Sequence, residues 1–251
     1  MRKVSILLGI LALFTASSAE AATISLTGTI RDFNDSHPDF QRAVRGFDPD
    51  IVENALGVDG KPVYTGQAGN PTTDSQVAFD QWYRDVPGVN QSTDFTITLD
   101  NSITPDPNIY TFVDTSFFPI DNQLFGNQGR SHNYHFTYEL HSQFTYQGGE
   151  SFTFAGDDDL WVFINDRLVI DLGGIHTTLT ESVNLDTIAN SIGITPGNDY
   201  SLSLFFAERQ TSGSRFRIDT SIILEEPTPV PDPSAVLPLL ILGVYALYKR
   251  G

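Results

Sequence analysis

Apolar and polar residues alternate with a period of two through the middle of the chain, and this feature constrains the fold more than any other. A period of two is typical of β-strands that bury one face. Segments rich in Gly, Pro, Asn and Asp separate the alternating stretches, and no long helical pattern lies between them. The sequence therefore predicts an all-β domain over residues 22–226, an antiparallel sandwich or barrel. The clearest stretches centre on Leu26, Ile97, Tyr138, Leu204 and Ile218.

Charge and cysteine content exclude several classes of function. The 251 residues include 31 Asp plus Glu against 14 Lys plus Arg, which gives a formal net charge of −17. Such a field repels a phosphate backbone, so we expect no nucleic-acid partner. There is no Cys, which excludes disulfides, thiolate nucleophiles and sulfur-ligated metal sites.

The first 21 residues have the layout of a secretory signal peptide. Two basic residues precede an almost unbroken apolar run over residues 4–14, and the small residues Ala19 and Ala21 follow it. Signal peptidase cleaves after small residues spaced in this way. The sequence thus predicts a signal peptide over residues 1–21 and a secreted protein.

The last 25 residues, 227–251, combine a Pro-rich linker, an apolar run over residues 235–248 and a basic end. The run predicts a short apolar helix, yet about 20 apolar residues are needed to span a bilayer comfortably. We therefore favour a processed tail with transient membrane contact over a permanent transmembrane helix. The basic end would stay cytoplasmic.

This tail resembles a PEP-CTERM sorting signal. The residues that carry the resemblance are Val230-Pro231-Asp232-Pro233, followed by the apolar run and the basic end. The family usually has Pro-Glu-Pro, so Asp232 departs from the motif but keeps its charge. The resemblance implies an exosortase-type processing enzyme in a Gram-negative bacterium that makes exopolysaccharide. It also implies a final location outside the cell or in the outer envelope.

The stretch over residues 152–171 predicts a strand, an acidic loop, a strand, a tight turn and a third strand. Asn165 and Asp166 occupy the turn, where positive φ is needed and these residue types tolerate it. Three adjacent carboxylates lie at one end of the predicted hairpin, and Arg167 lies at the other. The three are Asp157, Asp158 and Asp159.

Packed carboxylates repel one another unless a cation neutralises them or they face bulk water. Ca²⁺ takes six to eight oxygen ligands in flexible geometry and suits this loop. We expect Asp157, Asp158 and Asp159 to bind Ca²⁺, with Asp121 as a further ligand beside the aromatic pair at residues 117–118. The alternative is a solvated acidic turn. The neighbouring candidates for ligand binding are Trp161, Asp171 and His176.

Two other constellations give no catalytic or zinc site. His135, Glu139 and His141 share one face of a predicted strand, but His135 and His141 lie three steps of about 7 Å apart and cannot share one ion. We expect this face to be solvated. No pair of carboxylates is singled out for hydrolysis, and the neighbours Glu208 and Arg209 fit an internal salt bridge as well as a site. We therefore expect no enzyme activity.

Several sequence blocks resemble the fibro-slime family, a branch of the PA14-like β-domains. The most specific are residues 156–165 and 168–176, and the resemblance extends over about residues 28–224. Further blocks that match the family are residues 28–33, 37–40, 79–90, 117–121 and 205–209.

The resemblance implies a β-sandwich or barrel module of the kind found in adhesins, toxins and glycosidases, often sugar-binding. In the yeast adhesin branch, two consecutive Asp residues joined by a cis peptide hold a Ca²⁺ that binds sugar hydroxyls. The matching positions here are Asp157 and Asp158. Asp159 stands where many PA14 domains have Gly.

Together these features predict a secreted, non-catalytic, calcium-assisted carbohydrate-binding and adhesion protein of the extracellular matrix or cell envelope. Its expected partner is a glycan or exopolysaccharide. The alternative from another class is a structural matrix protein in which Ca²⁺ only stabilises the acidic loop. A glycoside hydrolase is the third alternative.

Overall fold

A computed structural model describes residues 21–66 and 71–226. The predicted signal peptide, apart from Ala21, and the predicted sorting tail with its apolar helix lie outside the described residues. Within those residues, no helix is both long and apolar enough to cross a membrane.

Ten strands form one antiparallel sheet, and two short strands pair separately. The order in the large sheet is β10-β6-β12-β4-β3-β1-β5-β11-β7-β8, and the small pair is β2-β9. Two short helices complete the described elements. In chain order the elements are β1 Thr23–Phe33, β2 Gly46–Phe47, α1 Gln76–Phe79, β3 Asn90–Asp100, β4 Tyr110–Asp114, β5 Phe136–Tyr146, β6 Ser151–Asp157, β7 Asp159–Ile164, β8 Arg167–Leu172, β9 Gly174–Ile175, β10 Leu179–Asn184, α2 Leu185–Ile192, β11 Asn198–Glu208 and β12 Arg215–Thr220.

The large sheet curls until its two edge strands, β8 and β10, contact each other. The main-chain N–H of Asp171 in β8 donates a hydrogen bond to the Glu181 carboxylate in β10 over 3.2 Å. The alternating apolar residues point into the resulting interior and are buried, as the period of two predicted. Those used for the prediction, Leu26, Ile97, Tyr138, Leu204 and Ile218, are at most 1% exposed.

A second apolar core lies on the outer face of the sheet, over residues of β1, β7 and β11. The segment between β1 and β3, of which residues 34–66 and 71–89 are described, packs there with Phe40, Phe79 and Trp82 against Trp161 and Phe205. We call it the covering segment. It contains α1, which starts at the N-cap residue Ser75.

The covering segment makes one prediction wrong. The sequence predicted that the polar face carrying His135 and Glu139 is solvated. Both residues are buried instead: His135, just before β5, is 1% exposed, and Glu139, in β5, is 3% exposed. Glu139 instead forms ion pairs with Arg31 and Lys61 and lies beside His141. The buried charge is compensated by these neighbours, as a buried carboxylate requires.

The predicted acidic hairpin is also only half correct. β6 pairs with β10 and β12, while β7 pairs with β8 and β11, so β6 and β7 do not form a hairpin. Every residue of β7 is buried, so it needs cover on both faces, whereas β6 alternates between buried and half-buried residues. The turn between β7 and β8 is confirmed, with φ of 51° at Asn165 and 58° at Asp166.

Candidate functional site

The crossover from β6 to β7 opens into a groove of about 870 Å³. Asp157 and Asp158, here called the acidic pair, lie in its wall together with the residues that follow β9 and β11. We call it the acidic groove. Its lining residues are Arg45, Gly46, Thr115, Asp157, Asp158, Ile175, His176, Thr177, Thr178, Gln210, Ser212, Gly213 and Arg215.

Each carboxylate oxygen of the acidic pair accepts one hydrogen bond. The Oδ1 and Oδ2 atoms of Asp157 accept from the main chain of Arg215 over 2.7 Å and from the Thr178 hydroxyl over 3.0 Å. Those of Asp158 accept from the main-chain N–H groups of His176 and Arg209, both over 3.1 Å. A carboxylate oxygen has two lone pairs, so these contacts orient the pair and leave acceptor capacity for a cation.

The peptide bond between Asp157 and Asp158, whose state the sequence left open, is cis. Asp157 is half-buried and Asp158 is 5% exposed.

Burial raises the pKa of Asp158 to about 8; the charge of Arg209 opposes this shift and that of Asp159 adds to it. Burial likewise raises the pKa of Glu208 well above its usual range, with the charges of Asp158 and Asp157 adding to the shift. Glu208 is therefore a third carboxyl in this neighbourhood, and the sequence had offered it only as a partner of Arg209 or an unspecified site. A bound cation favours the ionised form of such groups, so binding would release protons.

Asp159 does not line the groove, and the guanidinium of Arg209 neutralises its carboxylate. The two side chains are fully buried and paired, with Nε to Oδ2 at 2.6 Å and Nη2 to Oδ1 at 2.9 Å. The main-chain N–H of Gly174 donates to Oδ1 as well. From the sequence, Arg167 was the only basic residue considered near the three aspartates. Arg209 lies 50 residues after Asp159 in the chain, and the pairing of β7 with β11 brings the two together.

Trp161, predicted as a neighbouring ligand-binding residue, does not line the groove. It is 0% exposed and packs in the second core against Phe79 and Trp82. Its Nε1 donates to Oδ1 of Asp171 over 2.9 Å. Asp171 also accepts from the main chain of Asp50 and does not line the groove. Neither of these two predicted site residues is therefore brought to the groove.

His176 does line the groove. Its main-chain N–H holds Asp158, and its ring nitrogens lie 2.9 Å from the Thr177 carbonyl and 3.1 Å from the Leu172 carbonyl. The Phe47 ring lies beside it, with ring centroids 6.1 Å apart. His176 thus lies in the groove, and its role in ligand binding stays a prediction.

Asp121 is not brought to the acidic pair. Its carboxylate accepts from the main chain of Asn133 and contacts His132 Nδ1, both at 2.7 Å, and it does not line the groove. Phe118 stacks on His132, whereas Phe117 is buried in the main core. Over residues 21–66 and 71–226, no three His, Asp or Glu side chains are arranged to hold a metal ion.

Comparison with known proteins gives one family match and several relatives. The model of the PA14 domain family matches residues 127–233. The proteins psiR, psiQ and psiC of Dictyostelium discoideum are 39%, 39% and 38% identical over 90%, 82% and 87% of this chain. The chain spans only 24%, 22% and 44% of their respective lengths.

Two solved structures are similar to the chain at low identity. The PA14 domain of the MpAFP antifreeze protein has a TM-score of 0.35 at 9% identity, over 87% of this chain and 100% of that one. A PA14 sugar-binding domain from an RTX adhesin has a TM-score of 0.30 at 12% identity, over 72% and 91%. Residues 127–233, which contain the acidic pair and strands β5 to β12, thus match the PA14 domain family, and the all-β, PA14-like fold predicted from the sequence is confirmed.

Proposed function

We propose that this protein is a non-catalytic carbohydrate-binding and adhesion module in which the acidic pair holds a Ca²⁺ ion that accepts sugar hydroxyls. The observation that carries the proposal is the position of Asp157 and Asp158 in the wall of the acidic groove, inside the region that matches the PA14 domain. PA14 domains are known as carbohydrate-binding and adhesion modules, so the groove is the natural place for a glycan.

The donor set of the acidic pair fits a hard cation. All four carboxylate oxygens are held by donors on neighbouring elements, and nitrogen or sulfur ligands are not offered by these two side chains. Calcium accepts oxygen ligands of several kinds, including carbonyls, water and hydroxyls. Asp157 and Asp158 would hold the ion, and a pair of vicinal hydroxyls would complete its shell.

The chemistry of the groove supports binding without turnover. Glycosidases place two carboxyl groups on opposite sides of the scissile bond, roughly 5–9 Å apart. The two aspartates that line the acidic groove are consecutive residues held by donors around one crossover. We propose that they bind an ion together and do not act as an acid and a base across a substrate.

Export, calcium-assisted adhesion in the matrix, and removal of the tail by an exosortase-type enzyme belong to the same proposal. Calcium-assisted adhesion rests on the acidic pair. Export and removal of the tail rest on residues 1–21 and 227–251, of which the structure describes only Ala21. Transient membrane contact through the tail would precede release to the cell surface or matrix, where an exopolysaccharide is the expected partner.

A second candidate is a structural role, in which Ca²⁺ only stabilises the fold. The observation in its favour is that Asp158 accepts hydrogen bonds from His176, just after β9, and from Arg209, just after β11. An ion at this junction would connect separate strands and stabilise the folded state by mass action.

A glycan array probed with and without Ca²⁺ separates the two candidates. We expect wild-type protein to be retained in CaCl₂ and released by EGTA, and the Asp157→Asn/Asp158→Asn variant not to be retained. Asn keeps one of the two acceptor oxygens that each aspartate uses, so the melting temperature without calcium is measured to check that the variant folds. Asp94→Asn, on the exposed face of β3, is the control that should bind as wild type. Retention that ignores EGTA would contradict the lectin proposal. A calcium-raised melting temperature without retention on any glycan would favour the structural role.

A further inference from the structure

The basic residues of this acidic chain are almost all used in ion pairs. Residues 21–66 and 71–226 contain ten Lys and Arg residues, and seven of them form an ion pair with a carboxylate. Among these described residues, the three without such a pair are Arg45, Arg167 and Arg215. Pairing is the expected state in a chain with a formal net charge of −17, because a cation finds an acidic neighbour easily.

Two of these three arginines line the acidic groove. Nη2 of Arg45 donates to the amide oxygen of Gln210 over 2.9 Å, so a neutral groove residue orients it. The main-chain N–H of Arg215 holds Asp157, while its side chain is exposed. Both guanidinium groups thus belong to residues fixed to the groove, and neither forms an ion pair with a carboxylate of residues 21–66 and 71–226.

One side of the groove is built by a part of the chain outside the PA14 match. Arg45 and Gly46 come from the covering segment, which precedes residues 127–233. The pairing of Gly46 with Ile175 positions them next to His176. Phe47 follows and is 54% exposed, an unusual state for a large aromatic side chain. Its ring offers an apolar face of the kind on which sugar rings stack.

We propose that the acidic groove selects glycans that carry an anionic substituent, a uronate carboxylate or a sulfate ester, and that Arg45 and Arg215 determine this specificity. The inference rests on the proposed function and names its ligand class. A guanidinium presents donors in a planar fork that matches carboxylate and sulfate oxygens, often with two hydrogen bonds.

The overall charge of the protein makes these two arginines necessary for such a ligand. A net charge of −17 repels an anionic polymer at long range. That repulsion is screened beyond about 8 Å at physiological ionic strength, so contacts within the groove decide the outcome. Two uncompensated guanidinium groups beside the acidic pair supply local attraction where most of the surface repels.

The test compares soluble oligosaccharides that differ only in charge. Immobilised protein in CaCl₂ is titrated with hexagalacturonate and its methyl ester, and with sulfated and unsulfated dextran oligosaccharides. We expect the anionic member of at least one pair to bind ten-fold or more tightly than its neutral partner. The pair that shows the difference identifies carboxylate or sulfate as the ligand group.

Variants then assign the effect to the two arginines. Arg45→Gln/Arg215→Gln should remove the preference for the anionic member, while Arg167→Gln, the unpaired arginine outside the groove, should leave it intact. Equal binding of charged and neutral partners, no binding of any anionic probe, or an equal effect of Arg167→Gln would overturn the inference. Calcium-dependent retention of neutral glycans would then still support the proposed function, whereas loss of all glycan binding would contradict both.

Discussion

At the scale of single residues, Arg209 connects the acidic groove to the second core. Its main-chain N–H holds Asp158, and its guanidinium pairs with Asp159. Its Nη1 donates to the Thr72 carbonyl in the covering segment over 2.6 Å, and the guanidinium carbon lies 4.7 Å from the Trp82 ring centroid. One buried residue thus holds a candidate calcium ligand through its main chain and the covering segment through its side chain.

Replacement of Arg209 by Leu leaves the Asp159 carboxylate buried without its cation. We expect the free energy of unfolding to fall by about 3–5 kcal/mol, the usual cost of breaking a buried pair from one side. The matched control is Arg217→Leu, which breaks a partly exposed pair with Asp219 and should cost about 1 kcal/mol or less. Urea denaturation measures both, and equal losses would show that Asp159 does not depend on Arg209.

The buried position of His135 should lower the free energy of unfolding in acid. Burial lowers its pKa to about 4, with Arg130 adding to the shift and Asp35 opposing it. The unfolded chain, with a histidine pKa near 6.5, therefore takes up the proton first as the pH falls. Stability should decrease between about pH 6.5 and pH 4, by about 3 kcal/mol in all. We expect His135→Gln to lose less stability than wild type between pH 7 and pH 4.5 in urea denaturation. An identical loss in both proteins would exclude His135 as the cause.

The sequence predicted the acidic pair and the turn at Asn165, since both depend on neighbouring residues. It did not predict Arg209 as the partner of Asp159, because that contact depends on strand pairing across 50 residues. It misplaced Trp161 for a different reason. The unbroken apolar run over residues 160–164 is typical of a strand buried on both faces, and this signal was already present.

At the scale of elements, the pairing of β2 with β9 brings the covering segment to the groove. Gly174 allows this approach, because its φ is +113° and an added Cβ would lie 2.3 Å from the Gly46 carbonyl oxygen and 2.7 Å from the Asp48 nitrogen. A side chain at this position cannot be accommodated without moving β2. The position of Arg45 therefore depends on a glycine in β9.

Gly174→Ala should separate β2 from β9 and lower both the melting temperature and the retention of anionic glycans. The control is Gly197→Ala, which has φ of +84° but no atom within 4 Å of the added Cβ. It should lower the free energy of unfolding by about 1 kcal/mol, the cost of a positive φ at a residue other than glycine. Thermal melting and glycan titration measure the two variants, and equal behaviour would show that the close approach to β2 is unimportant.

Other elements show what local pattern predicts and what it does not. Helix α2 was not predicted, although Asn184 caps its start and Gly193 ends it with φ of 72°. These are ordinary signals for the start and end of a helix. The helix has only eight residues, which is too short for a helical pattern to stand out between the neighbouring strands. The burial of His135 and Glu139 had no local signal, because it comes from the covering segment.

At the scale of the whole molecule, one sheet contributes to two cores. The interior core is closed by the contact of β8 with β10, and the second core joins β1, β7 and β11 to the covering segment. An all-β fold followed from the alternation alone. The strand order did not, since nearly every pairing in the sheet is between distant parts of the sequence.

The shared sheet predicts a single cooperative unfolding transition. Trp82 in the covering segment and Trp161 in β7 are both buried, with ring centroids 6.1 Å apart. Tryptophan fluorescence in urea should therefore change at the same midpoint as far-UV circular dichroism. A fluorescence change at clearly lower urea would show that the covering segment unfolds on its own.

The central claim is that the acidic pair binds calcium, and calorimetric titration of CaCl₂ into the protein tests it most directly. We predict a one-site isotherm for wild type with a dissociation constant of about 10⁻³ M or tighter, as in extracellular calcium modules. The Asp157→Asn/Asp158→Asn variant should give no binding heat, while Asp94→Asn should bind as wild type does. No binding by wild type, or equal binding by the double variant, would contradict the account.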